Sequence, residues 1–265
     1  MTLAGDWGTG SKYMYSQNAD EGYKRLTRTV DLTGVTGTQP ANLSFWTSFN
    51  TELDWDFVFV EAHTVGQDDY TTLPDQNGHT TQNTGSSCPE GWAHGADALH
   101  PQIAHYQTLV ENGPGTEDNE CLPTGTTGSW NAASGNSSGW QNWSIDLSAY
   151  RGKQVEISIV FATDWGTTTV PGAMIDDTTV TAGSNVSETS FETEGDLGGW
   201  TIPGAHTGSP STNVNDWIQS ERIPFEDAAV TVTDFGMMFG FGLEGVNGAG
   251  NRAVLMDRIL DHLLQ

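Results

Sequence analysis

Short apolar runs, each cut off by turn-forming residues, constrain this chain more than any other feature. Leu26–Leu32 and Leu43–Phe49 alternate apolar with polar side chains, and Phe57–Val60 is apolar throughout. Trp143–Leu147, Val155–Ala162 and Ala173–Val180 continue the series. A period of two is that of a strand with one face buried. The Gly, Thr, Asn and Ser clusters between the runs are places where a chain can reverse. Antiparallel strands of this kind stack into a β-sandwich or jelly roll, so the fold class expected is all-β.

The pattern breaks twice. Between residues 66 and 127 the strand signal is lost, in a stretch too long to stand without a tether or a ligand. It holds Cys88 and Cys121, the only two cysteines. A disulfide between them would tether the loop, stabilise the fold by about 3–4 kcal/mol and imply an oxidising compartment; the alternative is two buried thiols. A second break, the polar run Thr181–Thr189, sets an expected boundary: a jelly-roll domain over 1–183 and a small unit over 184–265. That unit has strand-like runs at Ala228–Val232 and Gly236–Phe241. Val254, Leu255, Ile259, Leu260, Leu263 and Leu264 then form a helical stripe over Gly248–Leu264.

Charge narrows the partners. With 34 acidic and 9 basic residues the formal net charge is −25. Such a surface repels phosphate backbones and anionic membranes, so neither nucleic acid nor membrane is an expected partner. It suits divalent cations, and an extracellular or salt-rich setting. No apolar run reaches the ~18 residues of a membrane-spanning helix. The first ten residues lack a secretory signal pattern, which reads as a segment beginning inside a longer protein.

Of the chemical motifs, the carboxylates carry most. Glu52, Asp54 and Asp56 alternate in T-E-L-D-W-D-F, so on a strand they would share one face; Asp176 and Asp177 are adjacent in M-I-D-D-T-T-V. Crowded like charges call for a cation, and Ca²⁺ takes several oxygen ligands. The plainer reading is a solvated acidic face. A catalytic zinc is not expected: none of the seven histidines sits in H-E-x-x-H or in the H-x-x-E of carboxypeptidases. His94, His100 and His105 could hold a metal only if the loop gathered them. Gly135–Gly139 matches G-x-S-x-G with Ser137 in the nucleophile slot, but it lies in a small-residue turn with no helix after it. Gly240–Gly245 matches G-x-G-x-x-G without a second strand to complete a dinucleotide fold. Trp140 is the best aromatic platform for a polysaccharide or cell-surface ligand, whereas Trp143 reads as core.

Several segments resemble a known group of proteins. E-L-D-W-D-F-V-F-V-E (Glu52–Glu61) resembles a strand pair of secreted immune-inhibitor-A-type metallopeptidases. So do residues 124–141, D-L-S-A-Y-R-G-K-Q-V-E-I-S-I (Asp146–Ile159) and I-D-D-T-T-V (Ile175–Val180). The tail from Phe191 to Leu263 is similar to the C-terminal end of bacterial and archaeal zinc carboxypeptidases. The resemblance implies a secreted, MAM/concanavalin-like jelly roll lying downstream of a catalytic peptidase domain, its partner. It implies a non-catalytic accessory role, with calcium held by Glu52, Asp56, Asp177 and Asp176. A carbohydrate- or cell-surface-binding module is the alternative. The long 66–127 insertion departs from the pattern.

Overall fold

The structure, a computed structural model, describes residues 12–86, 92–95, 97–110, 120–166, 171–221, 230–233 and 236–239. The chain divides into two compact units, Met1–Glu221 and Arg222–Gln265. Every strand pairing is antiparallel.

The first unit is the expected sandwich. One sheet holds β1 (Tyr13–Tyr15), β3 (Ala41–Asn50), β8 (Gln141–Asp146), β10 (Gly172–Ala182), β11 (Asn185–Thr189) and β12 (Ile218–Ser220). Its order is β12-β1-β10-β3-β8, with β11 also paired to β10. The other sheet runs β2-β9-β4-β5, from β2 (Tyr23–Asp31), β4 (Phe57–Thr64), β5 (Thr71–Leu73) and β9 (Gln154–Ala162). The chain changes sheet between β2 and β3, β3 and β4, β8 and β9, and β9 and β10. That repeated crossing makes the connectivity a jelly roll rather than a stack of hairpins. The short pair β6 (Thr108–Val110) and β7 (Glu120–Leu122) lies in the insertion.

Alternation in the sequence becomes alternation in burial. On β3, Ala41, Leu43, Phe45, Thr47 and Phe49 are buried and their neighbours are not. They meet Leu26, Val30, Val58, Val60, Ile157, Ile159 and Phe161 from the opposite sheet. Each fully buried Leu, Ile or Phe contributes about 1.5–3 kcal/mol. On β4 every residue from Phe57 to Ala62 is buried, so this strand is covered on both faces. Its second face, with Phe57 and Phe59, packs with Tyr23, Val160 and Ala162 against Trp92, Leu99, Ile103, Tyr106 and Trp130. Most of that cover comes from the insertion. The stretch that reads as a polar loop thus supplies a second core, and a 3-10 turn over Pro101–His105 seats Ile103 in it.

A carboxylate sits inside this second core. Glu61 Oε2 accepts hydrogen bonds from the Tyr23 and Tyr106 hydroxyls at 2.7 and 2.8 Å. Its Oε1 lies 2.9 Å from His206 Nε2 and 3.9 Å from Arg25. Burial alone would raise this carboxyl; His206, Arg25 and Tyr23 outweigh burial and hold it at about 2.

Three expectations need revision or lie elsewhere. The boundary after 183 does not separate two bodies: β11 pairs with β10, and Phe191, Trp200 and Trp217 enter the main core. Residues 184–221 carry these buried aromatics and so belong to the sandwich. The strand-like runs near 228–241 are present as the pair β13 (Val230–Thr233) and β14 (Gly236–Phe239) of the second unit. The helix expected over 248–264 lies outside the described residues. Cys121, buried on β7, is not a free thiol; Cys88 also lies outside the described residues.

Candidate cation site

Glu52, Asp54 and Asp56 do not share a strand face. After β3 the chain makes a turn in which the Trp55 and Asp56 amides both donate to the Glu52 carbonyl, at 3.2 and 2.9 Å. Asp54 adopts φ 68°, in the left-handed region, which separates it from its acidic neighbours. Its Oδ1 instead accepts from Asn83 at 3.1 Å. Glu52 and Asp56, four residues apart, are left together. The turn does for them what a strand could not.

The third member arrives from far away in the sequence. Pairing of Phe57 with Ala162 brings the end of β9 beside the start of β4, and Asp164 lies two residues beyond that end. The Asp164 amide donates to Asp56 Oδ1 at 3.1 Å, and the Glu52 amide to Asp56 Oδ2 at 3.4 Å. One carboxylate oxygen from each of Glu52, Asp56 and Asp164 lies within 4.8 Å of the other two. Gly166 keeps the approach open: a Cβ there would stand 3.0 Å from Asp164 Oδ1 and 3.4 Å from Glu52 Oε2.

Nothing inside the group neutralises it. Asp56 is fully buried, and burial, reinforced by Asp164 and Glu52, pushes its carboxyl up to about 7. Burial raises Glu52 too, with Asp164 and Asp20 adding to it. Asp164 rises for the same reasons, burial first and then Asp20. Lys24, which feels the charge of Asp56, is itself buried and bonds the Ser16 and Gln17 carbonyls at 3.0 Å. Burial lowers it to about 8 against the pull of Asp216, Asp56 and Asp20.

Asp176 and Asp177 lie elsewhere, at a bulge in β10. Asp176 pairs with Trp46 and Thr179 with Ser44, so β10 carries one extra residue there. Gly172, at the other end, pairs with Asn50, which places Asp176 about 13 Å along the strand from the end of β3 that leads to Glu52. Asp177 has φ 45°, and its amide donates to Asp176 Oδ1 at 2.7 Å. Burial, with Asp177 and Glu192 adding to it, raises Asp176 to about 7.

The remaining candidates have definite placements. His100 is buried, 2.7 Å from the Thr163 carbonyl and 2.9 Å from Ser211 Oγ. His105 faces Asp68 and Thr127. Among the described residues, the one group of three able to hold a metal is the carboxylate set, and it contains no histidine. Ser137 Oγ donates to the Gly139 carbonyl at 2.7 Å and accepts from the Phe49 amide, in a loop. Trp140 is half-buried and packs edge-on against Tyr13 at 6.2 Å; Trp143 is core. Asp164 is the site residue that sequence reasoning misses, because T-D-W-G carries no neighbouring acid and only the β9–β4 pairing reveals it.

Three hard oxygen donors without nitrogen or sulfur suit Ca²⁺ better than Zn²⁺, with backbone carbonyls or water completing the shell. Among the described residues no helix is long and apolar enough to cross a membrane. No protein-family model matches the chain, and no curated protein is significantly similar to it.

Proposed function

We propose that this chain is a non-catalytic accessory β-sandwich whose sheet junction is locked by one calcium ion held by Glu52, Asp56 and Asp164. The observation that carries the reading is the convergence of three carboxylates around a fully buried Asp56, which makes no salt bridge among the described residues although buried Lys24 feels its charge. Calcium would neutralise them and clamp the end of β9 to the turn before β4. Following the sequence resemblance, the module serves a secreted zinc carboxypeptidase, stabilising it or holding it near its substrate. A Cys88–Cys121 bond in an oxidising compartment belongs to the same proposal.

The test is thermal unfolding with calcium and with EDTA. At a calcium concentration about 100 times Kd the native state gains about 2.7 kcal/mol. For a unit of this size that corresponds to roughly 5–10 °C in Tm. An identical Tm in EDTA and in millimolar calcium would remove the calcium claim. Peptide hydrolysis by the purified chain, lost on zinc chelation, would remove the accessory claim.

A further inference from the structure

A second feature lies on the far side of the Glu52–Asp56 turn. A cleft of about 190 Å³ opens between that turn, the segment 79–83 and the loop 132–141. This is below the ~300–1,000 Å³ of sites for drug-sized ligands, so it suits one small unit. Phe49 and Phe57 line it with carbon, and His79, Asp54, Asn83 and Asn136 with polar groups.

His79 is held there by a built arrangement. The Asp75 side chain is fully buried. Its Oδ1 accepts from the Ser144 amide at 2.6 Å, and its Oδ2 from the His79 amide at 3.0 Å and from His79 Nδ1 at 2.7 Å. A carboxylate only accepts, so Nδ1 carries a proton, and Nε2 is the ring atom left to meet a ligand, as acceptor in the neutral ring. Among the described residues Nε2 has no hydrogen-bond partner, and it is not buried. Asn136 is exposed; its Oδ1 accepts from the Ser138 amide at 2.6 Å, which leaves its Nδ2 as a donor. The cleft therefore offers fixed acceptors and a fixed donor over an apolar floor.

We propose that this cleft binds a neutral, hydroxyl-rich unit, a single sugar residue being the chemistry that fits. A hydroxyl donates and accepts at once, so neighbouring hydroxyls can give a proton to His79 Nε2 and take one from Asn136 Nδ2. An anion is repelled by a chain of net charge −25. Acyl transfer is not the use of this pocket. The two serines on its wall are engaged: Ser137 with the Gly139 carbonyl and the Phe49 amide, Ser134 with the Glu52 carbonyl and the Asp54 amide. The proposal does not rest on the cation site.

Glucose, galactose, mannose and N-acetylglucosamine are titrated in turn, followed by calorimetry and by the ring Cε1–H resonance of His79. At least one is expected to give a saturable shift with Kd of about 1 mM or tighter. Asn136→Ala, which removes an exposed donor and leaves the Asp75–His79 pair alone, is expected to weaken binding about tenfold. His79→Ala is expected to abolish it; if that protein fails to fold, Asn136→Ala still decides. No saturable shift with any of the four sugars up to ~50 mM would overturn the assignment. So would unchanged affinity in Asn136→Ala.

Discussion

Two buried carboxylates five positions apart, Asp56 before β4 and Glu61 within it, are driven in opposite directions. Both are almost fully withdrawn from solvent. Glu61 is met by two tyrosine hydroxyls, His206 and Arg25, and is held at about 2. Asp56 is met by two backbone amides and two further carboxylates, and burial pushes it up to about 7. Burial penalises charge at both places, so the difference lies in what surrounds it. The second core supplies the whole answer to Glu61. The sheet junction surrounds Asp56 with more negative charge, and Lys24, engaged by the Ser16 and Gln17 carbonyls, makes no salt bridge to it.

The contrast can be broken at either end. Glu61→Ala is expected to have the largest effect, about 3–5 kcal/mol lost, because Tyr23, Tyr106 and His206 lose their buried acceptor and Arg25 keeps only the partly exposed Glu156 at 4.0 Å. Urea unfolding measures it, and the loss should be the same with calcium and with EDTA. Asp56→Asn is expected to act with two signs. In EDTA at pH 8 it should stabilise the protein by roughly 1–3 kcal/mol by removing a buried charge. In calcium it should erase the cation-dependent gain.

The pH dependence sharpens the comparison further. Glu61 has a folded value below its unfolded one, so its contribution is present above pH ~4.5 and is lost as pH falls towards 2. Asp56 has a folded value above its unfolded one. Its contribution is complete below pH ~4 and is lost as pH rises through 7. These two groups together therefore favour the metal-free fold most near pH ~4.5 and weaken it towards pH 8, while buried His100, lowered to about 4 by burial, subtracts stability as pH falls below ~6.5. Calcium should remove the Asp56 share of that alkaline loss. The smallest effect belongs to Asp176, also raised to about 7. Asp176→Asn should reduce the part of the alkaline loss that calcium leaves, without changing the calcium response.

Much of the sandwich is legible in the sequence because strand alternation is local. Ala41–Asn50 writes its buried face in every second residue. The second core is not legible: Trp92, Leu99, Ile103 and Tyr106 are scattered among polar residues with no period, and only the face of β4 that they cover explains them. The apolar run Phe57–Val60 was the available signal, since a strand apolar on both faces needs two covers. Two of the three members of the acid site are legible as Glu52 and Asp56, though for the wrong reason, since a turn rather than a strand joins them. Asp176 and Asp177 are adjacent in sequence and take no part, because a bulge places them well along β10. Asp164 could be found only through a pairing that spans nearly half of the first unit.

Proton release on calcium binding tests the account most directly. Burial pushes the Asp56 carboxyl up to about 7, so near neutral pH a cation must displace protons from it. Calorimetric titration with calcium, repeated in two buffers of different ionisation enthalpy, reads those protons. The expected result is one ion per chain, release of a sizeable fraction of a proton at pH 7, and loss of binding in Asp164→Asn. Absence of binding heat, or full-affinity binding in Asp164→Asn, would contradict the cation site.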